Sequence, residues 1–80
     1  MVRYCYEKQL IKNPGLEGKV TVKFIISSTG RVQQATVKSS TLNNKTIEKC
    51  LTHVIRRWRF PKPLGGGLVV VSYPFVFKTN

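Results

Sequence analysis

Apolar and polar residues alternate most regularly between Gly18 and Ile26, where Val20, Val22, Phe24 and Ile26 interleave with Lys19, Thr21, Lys23 and Ile25. A period of two built from β-branched and aromatic side chains predicts a strand with one buried face. Ser27-Ser-Thr-Gly30 ends in glycine and suits a hairpin connection. Arg31 to Ser39 then predicts a second, more polar strand carrying Val32, Ala35 and Val37. A different period follows the loop at Ser40 to Asn43. Ile47, Cys50, Leu51, Val54, Ile55 and Trp58 recur at spacings of three and four, which predicts an amphipathic helix. Asn44 stands where a cap is needed, and Pro61 stops the helix. Lys45, Lys49, His53, Arg56 and Arg57 fall off the apolar stripe.

The two ends of the chain complete the pattern. Val2, Cys5, Tyr6 and Leu10 give a helical spacing over Val2 to Lys12, closed by Asn13-Pro14-Gly15. Pro63 and Gly65-Gly66-Gly67 form a flexible connector. Leu68 to Phe77 predicts a last strand with Val69, Val71, Tyr73, Phe75 and Phe77 on one face. The order is α-β-β-α-β. Strands and helices of this kind bury one sheet face beneath the helices. The expected fold is therefore α+β, a two-layer sandwich with a three-stranded antiparallel sheet packed on two helices. The first strand, the most apolar, is expected at its centre. Pro74 directs the last strand to an edge, because proline cannot donate to a ladder. Trp58 is expected as the largest anchor beneath the sheet, and Cys5 and Cys50 are both expected to face the core.

Composition narrows what such a fold can do. Eighty residues allow one small domain, residues 1–80, expected to be cut from a longer membrane-anchored protein. No apolar run reaches the ~18–20 residues of a membrane-spanning helix. Lys and Arg number 14 against 3 acids, a net charge of +11. With Glu7, Glu17, Glu48 and His53 as the whole stock of acids and imidazole, three chemistries lack their groups. These are paired-carboxylate hydrolysis, a Ser-His-Asp triad and an all-protein metal cage. No catalytic residue, metal site, cofactor or small-molecule substrate is expected. The composition points to a binding module. Arg56, Arg57, Arg59 and Lys62 form a candidate basic patch, so the alternative is a basic domain for nucleic acid or another anionic polymer. Two features argue against nucleic acid: the cations are spread along every element, and the aromatic pattern of an RNA-recognition motif is missing.

Cys5 and Cys50 need their own account. One histidine and no C-x-x-C leave zinc short of two ligands, and a catalytic thiol would have only His53 as its base. Two buried free thiols or one disulfide remain. The bridge is the favoured reading, since closing so long a loop stabilises a domain by roughly 4 kcal/mol on the chain-entropy model. It would imply an oxidising compartment.

Gly18-Lys-Val-Thr-Val-Lys-Phe-Ile-Ile26, Gly30, Val32 and Lys38-Ser-Ser-Thr-Leu42 resemble the C-terminal domain of TonB. So do Ile55-Arg-Arg-Trp-Arg-Phe-Pro61 and Tyr73-Pro-Phe-Val-Phe77. Cys5-Tyr6 together with Glu48-Lys-Cys50 resembles the variety found in gliding-motility proteins of the AgmX/PglI type. The resemblance runs from Tyr4 to Phe77, and Trp58-Arg-Phe-Pro61 is its most specific part. It implies a non-enzymatic periplasmic domain at the C-terminal end of an inner-membrane-anchored protein. Such a domain would bind an extended segment of an outer-membrane transporter or other envelope protein by edge-strand addition, coupling inner-membrane energy to transport or motility. By position, the implied partner-binding edge is Val69, Val70, Val71, Ser72, Tyr73, Pro74 and Phe75. A bare edge of this kind also admits a homodimer. Transport-type members carry a Tyr-Pro shortly before the first strand, where this chain has Asn13-Pro14.

Overall fold

The computed structural model describes residues 2–78. Its elements are α1 (Val2–Leu10), β1 (Gly18–Ile26), β2 (Val32–Ser40), α2 (Lys45–Arg56) and β3 (Val69–Phe77), with a short 3-10 turn at Leu64–Gly66. The expected α-β-β-α-β order holds, and the three antiparallel strands lie side by side as β2-β1-β3. The most apolar strand takes the centre. Val20, Val22, Phe24 and Ile26 are buried, and the residues between them are exposed or half-buried, the alternation a strand covered on one face requires.

Above that face lies α2. Asn44 Oδ1 accepts from the Ile47 amide at 3.0 Å and so satisfies one of the helix's first free donors. Ile47, Leu51 and Ile55 are completely buried and pack over β1 and β2. The helix ends at Arg56, with Arg57 as its C-cap. Trp58 thus continues the stripe from outside the helix and is half-buried against the margin of the core, in place of the core anchor beneath the sheet that the stripe predicts.

The first helix ends at Leu10, short of the expected Lys12. The Lys12 and Asn13 amides both turn back to the Gln9 carbonyl, at 3.1 and 3.0 Å, and Pro14 holds Asn13 away from helical geometry. Of its apolar stripe, Cys5 and Tyr6 are buried and Leu10 packs against the core; the side chain of Val2 lies outside the described residues. This helix rests on α2, and Tyr6 carries it to the sheet with its ring 5.0 Å from that of Phe77. The Tyr6 hydroxyl donates to the Leu16 carbonyl, which ties the loop after α1 beneath the same ring.

Cys5 and Cys50 are joined as a disulfide, their Cα atoms 5.7 Å apart. Cys5 is buried while Cys50 is half-buried, so the bridge spans the seam between the helices rather than the centre of the core. Its 45-residue separation predicts a contribution of about 4 kcal/mol. Replacing both cysteines by alanine should lower Tm by about 15 °C or more, at roughly 4–8 °C per kcal/mol for a domain this size. Reductant should reproduce the shift in the parent and do nothing to the variant; equal melting curves for both proteins would refute the assignment.

Burial raises the Tyr6 phenol above its ordinary value of 10.0, and the Glu17 carboxylate adds to the shift. The folded state therefore holds its phenolic proton more tightly than the unfolded chain. That stability is complete below pH 10.0 and is lost as pH rises through the higher folded value. Alkaline melting curves should fall more steeply for the parent than for Tyr6→Phe, and parallel curves would exclude this linkage.

Candidate partner-binding edge and aromatic recess

The two outer strands offer unequal rims. Along β2 the register against β1 slips twice, between Thr21 and Val22 and again between Ile25 and Ile26, which leaves Lys38 and Gln33 as extra residues on β2. Bulges of this kind twist an edge and interrupt its row of donors and acceptors. The β1–β3 ladder has no slip, running in nine consecutive pairs from Gly18–Phe77 to Ile26–Val69. Among the described residues, no strand pairs with the far side of β3.

Pro74 determines which groups face outward. Proline has no amide hydrogen, so its pair with Thr21 must be a non-hydrogen-bonded one. The alternation then turns the main chains of Val69, Val71, Tyr73, Phe75 and Phe77 toward β1. It turns the amides and carbonyls of Val70, Ser72 and Val76 to the rim, joined by the carbonyl of Pro74. Val70 and Val76 are 59% and 58% exposed, so the face of β3 turned away from the helices is open to water.

The same strand presents a second feature on its helix-side face. Because α2 lies over β1 and β2, the side chains of β3 are covered unevenly. Phe77 is buried beneath Tyr6, Val71 and Phe75 are half-buried, and Tyr73 is 53% exposed. A recess of about 340 Å³ opens there, lined by Phe24, Trp58, Phe60, Val71, Tyr73 and Phe75. Its aromatic rings form a connected set. Trp58 meets Phe24 edge-on at 6.2 Å, Phe60 at 6.1 Å and Phe75 at 6.2 Å, and Tyr73 lies 4.9 Å from Phe75.

The far wall of the recess is held by main chain. The Phe60 amide donates to the Gly30 carbonyl at 2.8 Å, and Arg59 forms a bridge with Arg31. Gly30 has φ +87°, and a Cβ there would overlap the Phe60 carbonyl oxygen. Glycine is thus required both by the turn and by the strip that carries Trp58 and Phe60.

Arg56, Arg57, Arg59 and Lys62, expected as a basic patch, are each exposed, and the bridge sets the exposed Arg31 beside Arg59. Sequence reasoning missed that fifth cation and the recess itself. One signal was available: Trp58-Arg59-Phe60 alternates apolar and polar after the helical stripe has run out, which is how an extended segment with one buried side reads.

A three-stranded antiparallel sheet with two helices, α2 on the sheet and α1 on α2, matches the fold of a solved structure. The chain matches the solution structure of the Pseudomonas aeruginosa TonB C-terminal domain with a TM-score of 0.67 and 27% identity, over 89% of this chain and 74% of that one. The family model for the Gram-negative bacterial TonB protein C-terminal region matches residues 9–79. The chain belongs to the TonB C-terminal domain family. No curated protein sequence matches it. TonB C-terminal domains are periplasmic, non-enzymatic protein-interaction domains that serve energy transduction across the Gram-negative envelope, and the family interacts with outer-membrane transporters.

The close approach at Gly30 gives a direct test of the wall. Gly30→Ala should destabilise the domain by more than about 1 kcal/mol in chemical denaturation. It should also move the Trp58 indole resonance, although Trp58 is distant in sequence. An unchanged midpoint with an unmoved indole signal would contradict this account of the strip.

Proposed function

We propose that this domain receives an extended segment of an outer-membrane transporter or another envelope protein as a fourth strand beside β3, along Val69–Phe75. The parent protein is anchored in the inner membrane, and the added strand couples that membrane's energy to transport or to gliding motility. The observation that carries this reading is the contrast between the two rims. The β2 rim is interrupted by two bulges, whereas β3 keeps an unbroken ladder and turns the amides of Val70, Ser72 and Val76 outward. Main-chain pairing supplies affinity in such an addition, and alternate side chains supply selectivity.

The resemblance of Cys5-Tyr6 and Glu48-Lys-Cys50 to the motility variety supports motility as one outlet. The disulfide suits the oxidising periplasm.

Titration with the acetylated and amidated peptide Thr-Glu-Thr-Glu-Thr-Leu-Thr-Glu-Thr-Glu should shift the amide signals of Val70, Ser72 and Val76 more than any others. Ser72→Pro removes one outward donor from a position that makes no ladder bond to β1. It should leave the remaining spectrum folded and weaken the peptide by roughly tenfold, the value of about one hydrogen bond. Shifts confined to α1 and α2 would eliminate strand addition at this edge.

A further inference from the structure

We propose that the aromatic recess beside β3 is a side-chain pocket that selects what the edge accepts: an acidic extended segment carrying one bulky aliphatic residue on its helix-side face. This inference rests on the strand-addition reading and adds to it a choice of sequence.

The geometry joins the two sites. Val71, Tyr73 and Phe75 line the recess with their side chains, and the main chains of Val70, Ser72 and Pro74 between them face the rim. A strand laid along that rim would sit about 4.8 Å outward from β3, with alternate side chains on the same face as Val71, Tyr73 and Phe75. Those side chains would arrive at the open side of the recess. Across from them stand Trp58 and Phe60, fixed through the bond from the Phe60 amide to Gly30. The floor is Phe24, itself buried in the core. A volume of about 340 Å³ has ample room for a leucine-sized group together with the backbone that carries it. Tyr73, half uncovered at the rim, is the residue such a group would cover first.

Charge sets the rest of the segment. The chain carries +11, and the strip that forms the wall sets exposed Arg57 and Arg59 beside its two rings, with Lys62 beyond and Arg31 across the bridge. A cationic margin around an apolar recess favours an anionic partner and speeds its approach. Leucine in the recess supplies the anchor, and glutamates to either side meet the margin.

Two peptides and one variant separate this inference from the reading beneath it. The first is Thr-Glu-Thr-Glu-Thr-Leu-Thr-Glu-Thr-Glu, acetylated and amidated; the second has alanine for leucine. The leucine peptide should bind at least about tenfold more tightly, the difference made by burying an aliphatic side chain. It should also shift the Trp58 indole and the Tyr73 ring signals, which the alanine peptide leaves in place. Tyr73→Ala lies at the rim and outside the buried core; its amide spectrum reports whether it has kept the fold. In that variant the leucine peptide should lose part of its advantage over the alanine peptide, because one ring of the recess has gone while Trp58 and Phe60 remain, and an undiminished advantage would overturn the pocket. Equal affinities for the parent, with matching shifts at Val70, Ser72 and Val76, would overturn the pocket and leave strand addition standing. No shift at these amides with either peptide would overturn both. Loss of the same signals on concentrating the domain without peptide would assign the edge and recess to a second copy of this chain, and would also overturn the proposal.

Discussion

Val20, Val22, Phe24 and Ile26 of β1 meet Ile47, Leu51 and Ile55 of α2, and every other element takes its place from what that contact covers and leaves bare. A helix is about 10 Å across with its side chains, while strands sit about 4.8 Å apart. One helix centred over β1 and β2 therefore cannot also roof β3. The third strand gains its main-chain partner from β1 but only a partial side-chain cover, from Trp58, Phe60 and Tyr6 at its margins. The half-covered aromatic face beside a free rim follows from that shortfall. It is not a separate device.

The first helix is fastened differently. It brings Cys5, Tyr6 and Leu10 to the core, a small apolar contribution for a structural element, and it leans on α2 rather than spreading over the sheet. A covalent link between Cys5 and Cys50 makes up for that thin packing by limiting the freedom of the unfolded chain. The hydroxyl of Tyr6 meanwhile secures the loop that leads into β1. Roof and fastening are thus separable: α2 makes the core, and α1 seals its end beside Phe77.

The parts of this architecture that repeat along the chain were legible in the sequence. The period of two in β1 and the stripe of α2 each recur over two or more turns or pleats, so burial on one face leaves a readable trace. Pro74 gave away the position of β3, since a missing donor is tolerated only where no ladder bond is needed. What did not read was set by contacts between distant segments. Arg31 stands beside Arg59, and Gly30 beside Phe60, because the chain turns back after α2; no local pattern records that meeting. The exposure of Tyr73 depends on where α2 stops over the sheet, and the alternation in β3 looks the same whether that face is roofed or open. The half-buried position of Trp58 has the same origin, since the stripe continues in sequence past the last helical residue.

The proline within β3 also limits growth. Two full-length copies of a nine-residue rim stacked on each other would each meet a site with no donor, and so would every later layer of a fibril. The missing hydrogen on that one nitrogen takes a bond out of every such layer, and so works against open-ended stacking of the domain on itself.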